Sequence, residues 1–215
     1  MTTLKINRKQ LVIHSSYLIN LASKDELTRH KSIKELKQEI KFALSLKIHF
    51  LVVHAGSNPD RNNGIKKIVE SINELNLKNR LTLAIENSPG KGNQLCDRLE
   101  DFFNIFSQIK KREKVGICLD TAHVVSSVLK NMSFEEIAQT LQQKISPQVI
   151  KVIHLNDLQK GKVKDRHEII GKGIIGKERI KKFAAFSKLK QAIKILETPF
   201  IDEETAIKEI SLFQK

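Results

Sequence analysis

The sequence predicts an α/β chain whose parallel strands close towards a barrel, and three observations carry the prediction. Short apolar runs recur about 30 to 40 residues apart, the pitch of a strand, a crossover helix and the next parallel strand. Amphipathic stretches with apolar residues at helical spacing lie between most of them. Every run also ends, at its C-terminal side, on His, Glu or Asp. An open doubly wound sheet gathers ligand groups near one switch point, whereas a barrel brings all its strand ends around one mouth, so the third observation selects the barrel.

The first run is QLVIH, ending at His14, and SIKELKQEIKFALSL follows as a helix. HFLVVH ends at His54, LTLAIE at Glu86 and VGICLD at Asp120, each short and apolar enough for a strand buried on both faces. DRLEDFFNIFSQIKK supplies the helix before Asp120, and VIKVIH then ends at His154. QKGKVKDRHE reads as a lysine-rich loop, with a poor strand position near Lys164 to His167, and IIGKGIIGKERI reads as a turn entering the last helix. AIKILE closes the series at Glu197. That makes about seven strand positions in 215 residues, where a TIM (β/α)8-type barrel typically takes around 250. One βα unit is missing from the pattern. No glycine- or proline-rich linker divides the chain, and residues 1–215 read as a single barrel domain.

Composition sets the class of partner. The formal charge is +14, from 38 Lys and Arg against 24 Asp and Glu, which attracts a polyanion and suits DNA, although a lysine-coated, solvated surface carries the same number. No apolar run approaches the roughly 18 to 20 residues of a membrane span, and the polar start MTTLKINRKQ has no apolar signal core, so the expected location is intracellular, with no membrane partner. Cys96 and Cys118 lack metal or redox spacing, and Cys118, inside VGICLD, reads as a small hydrophobe. His30 and His49 match no pattern and read as structural or solvent-facing.

The chemistry lies at the strand ends. One strand-terminal histidine is unremarkable, but His14, His54, Glu86, Asp120, His154 and Glu197 close six strands in succession. Imidazole and carboxylate are the donors that bind zinc or manganese. His123 follows Asp120 by three residues in LDTAH, and Asp165 and His167 alternate in DRH, which in extended backbone turns both to one face. The resulting nine donors exceed what one or two ions need and match three if a carboxylate bridges. Adjacent divalent ions suit displacement at phosphorus.

Those residues stand in a longer pattern. HSSYLINLA from His14, HAGS from His54, ENSPGKG from Glu86, CLDTAH to His123, HLND from His154, DRHEIIGKG from Asp165 and LETP to Pro199 resemble, in order and over nearly the full chain, the motifs of the endonuclease IV family of apurinic/apyrimidinic endonucleases. The resemblance implies three Zn2+ ions, with Mn2+ at one or more positions as an alternative. One ion is assigned to His14, His54 and Glu86, a second to Glu86, Asp120, His154 and Glu197, and a third to His123, Asp165 and His167. The implied reaction is hydrolysis of the phosphodiester 5′ to an abasic site in double-stranded DNA, leaving a 3′-hydroxyl and a 5′-deoxyribose phosphate. Duplexes with blocked 3′ ends are further substrates, and the expected enzyme is a monomer, nucleoid-associated in the cytoplasm if bacterial. Because a phosphodiester repels an anionic nucleophile and releases a poor alkoxide, Glu86 and Glu197 are the catalytic candidates for orienting the attacking hydroxide. Tyr17 and Leu18 are the DNA-binding candidates, in the loop that the family uses to enter the duplex. Extruding an abasic nucleotide is easier because it lacks stacking.

Several points stay open in the sequence. Glu197 also reads as a cap for the loop at Pro199, Tyr17 as packing, and Asn87 and Asn156 either as orienting groups or as plain turn residues. The family carries one strand, loop and helix ahead of the segment with His14, so the barrel is expected to be N-terminally shortened, with two unpaired edges and exposed apolar surface. HLNDLQKGKVKDRH is about two residues shorter than the family spacing, with Leu158 and Gln159 in place of the usual residues. Lys160, Lys162 and Lys164 are available either as substitute phosphate contacts or as a solvated run. Two other functions compete: a metal-dependent sugar isomerase or epimerase on a related barrel, and a truncated, non-catalytic DNA-binding protein. The first leaves His123 and the DRH pair unexplained, and the second has no need of nine intact donors.

Overall fold

In the computed structural model the described residues are 7–75, 77, 80–161 and 166–213. Strand and helix alternate through β1 (Val12–His14), α1 (Glu26–Ser45), β2 (Phe50–His54), α2 (Arg61–Glu74), β3 (Thr82–Glu86), α3 (Leu99–Gln108), β4 (Val115–Asp120), α4 (Thr121–Ser126), α5 (Phe134–Lys144) and β5 (Ile150–Leu155). A short ribbon of β6 (Asp157–Leu158) and β7 (His167–Glu168) then precedes α6 (Lys177–Ala184), β8 (Ile193–Leu196) and α7 (Glu203–Ser211). Polar residues start the helices where the pattern demands. Asp25, Asp60 and Asp202 accept from the third backbone N–H beyond them, and Ser133 with Glu136 forms a reciprocal capping box.

Six strands pair in parallel in the order β1-β2-β3-β4-β5-β8, so the barrel reading holds as a half-barrel with β1 and β8 at its edges. Among the described residues no seventh strand joins this sheet. His167–Glu168 pairs instead antiparallel with Asp157–Leu158, because two residues are too few to span the sheet and DRHE offers no apolar run to bury between helix and lumen. Residues 162–165 lie outside the described residues. The turn IIGKGIIG does lead into a helix, α6, but this is not the last one. A further helix, α7, follows β8.

Strand periodicity places the site. The larger core lies between the sheet and its helices, around Leu51, Val53, Leu83, Ile85, Ile117, Phe102, Phe134 and Phe183. The alternate residues Val52, Ala84, Cys118 and Val152 form a second, smaller cluster inside the curve of the sheet, flanked by Val12, Phe50 and Ile195. Two residues further along each strand, on the same inner face, come His14, His54, Glu86, Asp120, His154 and Glu197. The apolar layer is therefore the floor and the donors are the rim. Among the described residues no helix is long and apolar enough to cross a membrane.

Candidate metal centre

Glu86 sits at the middle of the rim, 1% exposed. Its Oε2 lies 2.9 Å from His14 Nε2 and 3.4 Å from His54 Nδ1, and its Oε1 lies 2.7 Å from His154 Nδ1. His154 Nδ1 in turn stands 3.0 Å from Glu197 Oε2 and 4.0 Å from Asp120 Oδ2. One donor atom from each member of the sets His14/His54/Glu86, Glu86/Asp120/His154/Glu197 and Asp120/His123/His167 falls within 4.8 Å of the others in its set. Eight of the nine sequence candidates are thus brought together. The ninth, Asp165, lies outside the described residues.

Charge explains the short contacts. Glu86, Asp120 and Glu197 would repel one another in a dry pocket without cations between them. Burial raises the Asp120 carboxyl, against the pull of His123. Glu86 is equally buried, yet hydrogen bonds to His14 and His154 hold it well below the carboxylate range. Glu197 also lies low, its own burial being outweighed by His154. Burial works against protonation of His14, but the bond to Glu86 outweighs it and the ring's pKa is raised. His154 is raised against its own burial by the sulfur of Cys118 and by Glu197 and Glu86, while burial lowers His54.

The donor set fits divalent ions. Donors bound at about 2.0–2.1 Å around one tetrahedral zinc stand about 3.3 Å apart, and the separations between Glu86 and His14, His54 or His154 lie between 2.7 and 3.4 Å. Tautomers are set from outside the rim. His14, His123 and His167 each direct Nδ1 to a backbone carbonyl, of Ser15, Asn87 and Glu197 respectively, which leaves the lone pair on Nε2 in the neutral ring.

Neighbouring amides orient Asp120. Asn87 donates its side-chain amide to the Asp120 carbonyl at 3.2 Å and accepts from the Asp120 N–H at 2.6 Å. Asn156 donates to Asp120 Oδ2 at 2.6 Å and accepts from the Ala122 N–H at 2.9 Å. Both asparagines are 0% exposed, Asn87 on the main chain of Asp120 and Asn156 on its carboxylate. Cys118 lies on the floor, close enough to Glu86 and His154 to complete a donor group. Burial pushes its thiol up to about 12 and keeps it neutral. Cys96 is free and buried.

The loop after β1 lies beside this rim, with Tyr17 84% and Leu18 66% exposed. That exposure removes the packing alternative for Tyr17. His30 is exposed, with Nδ1 on the Glu26 carbonyl, and His49 is half-buried at the start of β2. Lys160 is exposed, whereas Lys162 and Lys164 lie outside the described residues.

Comparison with known proteins follows the same geometry. A family model described as a xylose isomerase-like TIM barrel matches residues 3–215. A probable endonuclease 4 of Mycoplasma mycoides is 35% identical over 209 residues, covering 94% of this chain and 72% of its own. The chain belongs to the endonuclease IV family. A second probable endonuclease 4, from Petrotoga mobilis, is 36% identical over 214 residues, 95% of this chain and 75% of its own. The crystal structure of endonuclease IV from Thermus thermophilus superposes with a TM-score of 0.79 at 28% identity, covering 94% of this chain and 73% of that one. A D-tagatose 3-epimerase-like protein shares the fold, with a TM-score of 0.68 at 22% identity, covering 94% of this chain and 74% of that one.

Two groups that hold the centre were not singled out by the sequence. Thr121 donates its hydroxyl to the Asn156 carbonyl at 2.7 Å and accepts from the Asn156 N–H at 3.0 Å. Asp157, 0% exposed, accepts from the backbone N–H groups of Leu158, Gly171, Ile175 and Gly176 at 2.8–3.2 Å. It ties the segment after β7 to the end of β5. Both lie inside the motifs LDTAH and HLND, and the donors of Asp157 come mostly from residues 14 to 19 positions further on.

Proposed function

We propose that the chain is a DNA-repair endonuclease that hydrolyses the phosphodiester 5′ to abasic sites in duplex DNA, using three metal ions. The observation that carries the reading is the joining of the donor sets through the shared carboxylates of Glu86 and Asp120, since a sugar isomerase with one or two ions leaves His123 and His167 unexplained. The names of the endonuclease 4 relatives point the same way.

His14, His54 and Glu86 would hold one ion, Glu86, Asp120, His154 and Glu197 a second, and His123 and His167, with Asp165 from outside the described residues, a third. Zinc suits the imidazole-rich sets, with manganese as an alternative at one or more positions. Bound divalent ions supply Lewis-acid stabilisation of the phosphoryl oxygens and acidify water. Glu86 and Glu197 orient the attacking oxygen against phosphorus. A water oxygen would bond to phosphorus as the P–O3′ bond breaks, with one proton of that water ending on O3′, to give a 3′-hydroxyl and a 5′-deoxyribose phosphate. Tyr17 and Leu18 occupy the gap left by the missing base, and the +14 charge draws the backbone in.

The test is a labelled duplex carrying one abasic analogue, incubated with the protein with and without a chelator. The reading expects metal-dependent incision 5′ to the lesion and none in the intact duplex. Equal cleavage of both duplexes, or product ends other than these, contradicts it.

A further inference from the structure

The C-terminal helix α7 is attached in an unusual way. Helices of this kind dock through an apolar stripe, yet the buried residue of α7 is Glu209, 5% exposed, while Ile207 and Ile210 are 65% and 49% exposed. A cavity of about 530 Å3 opens beside it, between Leu196, Phe200, Ile201 and Phe213. Leu212 and Phe213, just beyond the helix, pack against the core, so within α7 itself the buried contact is the polar one of Glu209.

Glu209 instead makes two hydrogen bonds that meet at the rim. Oε1 accepts from the Ile170 N–H at 2.9 Å, and Oε2 accepts from the Thr198 hydroxyl at 2.8 Å. Ile170 follows the ribbon strand of His167, and Thr198 follows Glu197. The two ends are joined a second time where His167 Nδ1 meets the Glu197 carbonyl at 3.0 Å. A carboxylate is expensive to bury, and a helix that wanted only adhesion would use leucine. A pair of oxygens at fixed spacing does what leucine cannot, which is to set the separation of two backbone segments.

We infer that Glu209 is a positioning residue for the metal centre: through Ile170 and Thr198 it fixes His167 and Glu197 relative to each other. The inference rests on the reading that these two side chains bind metal. It assigns α7 the work of a brace rather than of a packing element. The His14–His54–Glu86 set lies on β1, β2 and β3, and among the described residues it meets the braced segments only at Glu197, through Glu86, His14 and His154.

The test is zinc titration of the full chain against a chromophoric chelator, with a thermal melt of each variant alongside. Glu209→Ala is expected to weaken binding of at least one ion by about tenfold or more, the size of effect seen when groups behind metal ligands are removed, and to leave the tightest remaining ion unchanged. Glu209→Gln keeps an acceptor for Ile170 and gains a donor for Thr198, so it should bind close to wild type. A folded Glu209→Ala protein that binds every ion with wild-type affinity overturns the inference. Should Glu209→Ala fail to fold, Thr198→Val removes one of the two bonds and decides in the same way: weakened binding supports the brace and unchanged binding overturns it. Wild-type protein that takes up no zinc overturns the metal reading, and the brace with it.

Discussion

Asn156 donates its side-chain amide to Oδ2 of Asp120 at 2.6 Å, in a pocket where both residues are 0% exposed. The same asparagine accepts from the first turn of α4, from the N–H of Ala122. One side chain thus ties a carboxylate at the end of β4 to the helix that carries His123. Replacing it by alanine leaves both partners unsatisfied, at about 1–3 kcal/mol each. Asn156→Ala is expected to lower the melting temperature and to weaken zinc binding by about 10- to 100-fold, read by thermal melt and competitive zinc titration. Wild-type affinity in a folded variant would show that Asp120 orients itself.

Chelation should destabilise the fold. With three carboxylates crowded at one rim, bound cations stabilise the native chain, by about 4 kcal/mol at a ligand concentration a thousand times Kd. Treatment with a strong chelator is expected to lower the thermal midpoint, and added zinc to restore it. A midpoint indifferent to both treatments would mean that the cluster is held by protons alone.

Metal binding should release protons. His14 and His154 are raised through their bonds to Glu86 and, for His154, Cys118 and Glu197, so each keeps its proton to higher pH than a free imidazole. The ion needs the neutral ring. Affinity for zinc is therefore expected to fall as pH falls, with the loss beginning above the ordinary histidine range. Calorimetry in buffers of different ionisation enthalpy measures the released protons. Heats that do not vary with the buffer would contradict the assignment.

Tyr17 and Leu18 present apolar surface to solvent without taking part in the core. Their replacement by alanine should leave stability within about 0.5 kcal/mol and weaken binding to an abasic duplex by about 1–3 kcal/mol for a lost stacking contact. A gel-shift or anisotropy titration on abasic and intact duplexes separates the two effects. Equal loss on both duplexes would make this loop a general backbone contact.

Most of the site was legible because strand periodicity and chemistry coincide. A run such as LTLAIE must bury both faces, so its terminal Glu86 can only stand at the mouth, and the same holds for Asp120 and His154. The ribbon was not legible. DRH has the alternation of a strand, yet His167 and Glu168 pair antiparallel with β6. Glu209 was equally hidden, since its partners Ile170 and Thr198 lie 39 and 11 residues away and a glutamate on a short helix reads as solvated. Among the described residues β1 and β8 stand at the edges of the sheet, and their register could not be assigned from sequence.

The most direct test of the account is single-turnover incision of a duplex with one abasic analogue by wild-type protein and Glu86→Gln, each with its zinc content measured. Glu86 contacts His14, His54 and His154 at once, so its amide should cut incision by orders of magnitude and release at least one ion while the fold persists. A Glu86→Gln protein that incises at the wild-type rate, or a fully metallated wild type that leaves the duplex intact, would contradict the reading of this rim as a phosphodiesterase centre.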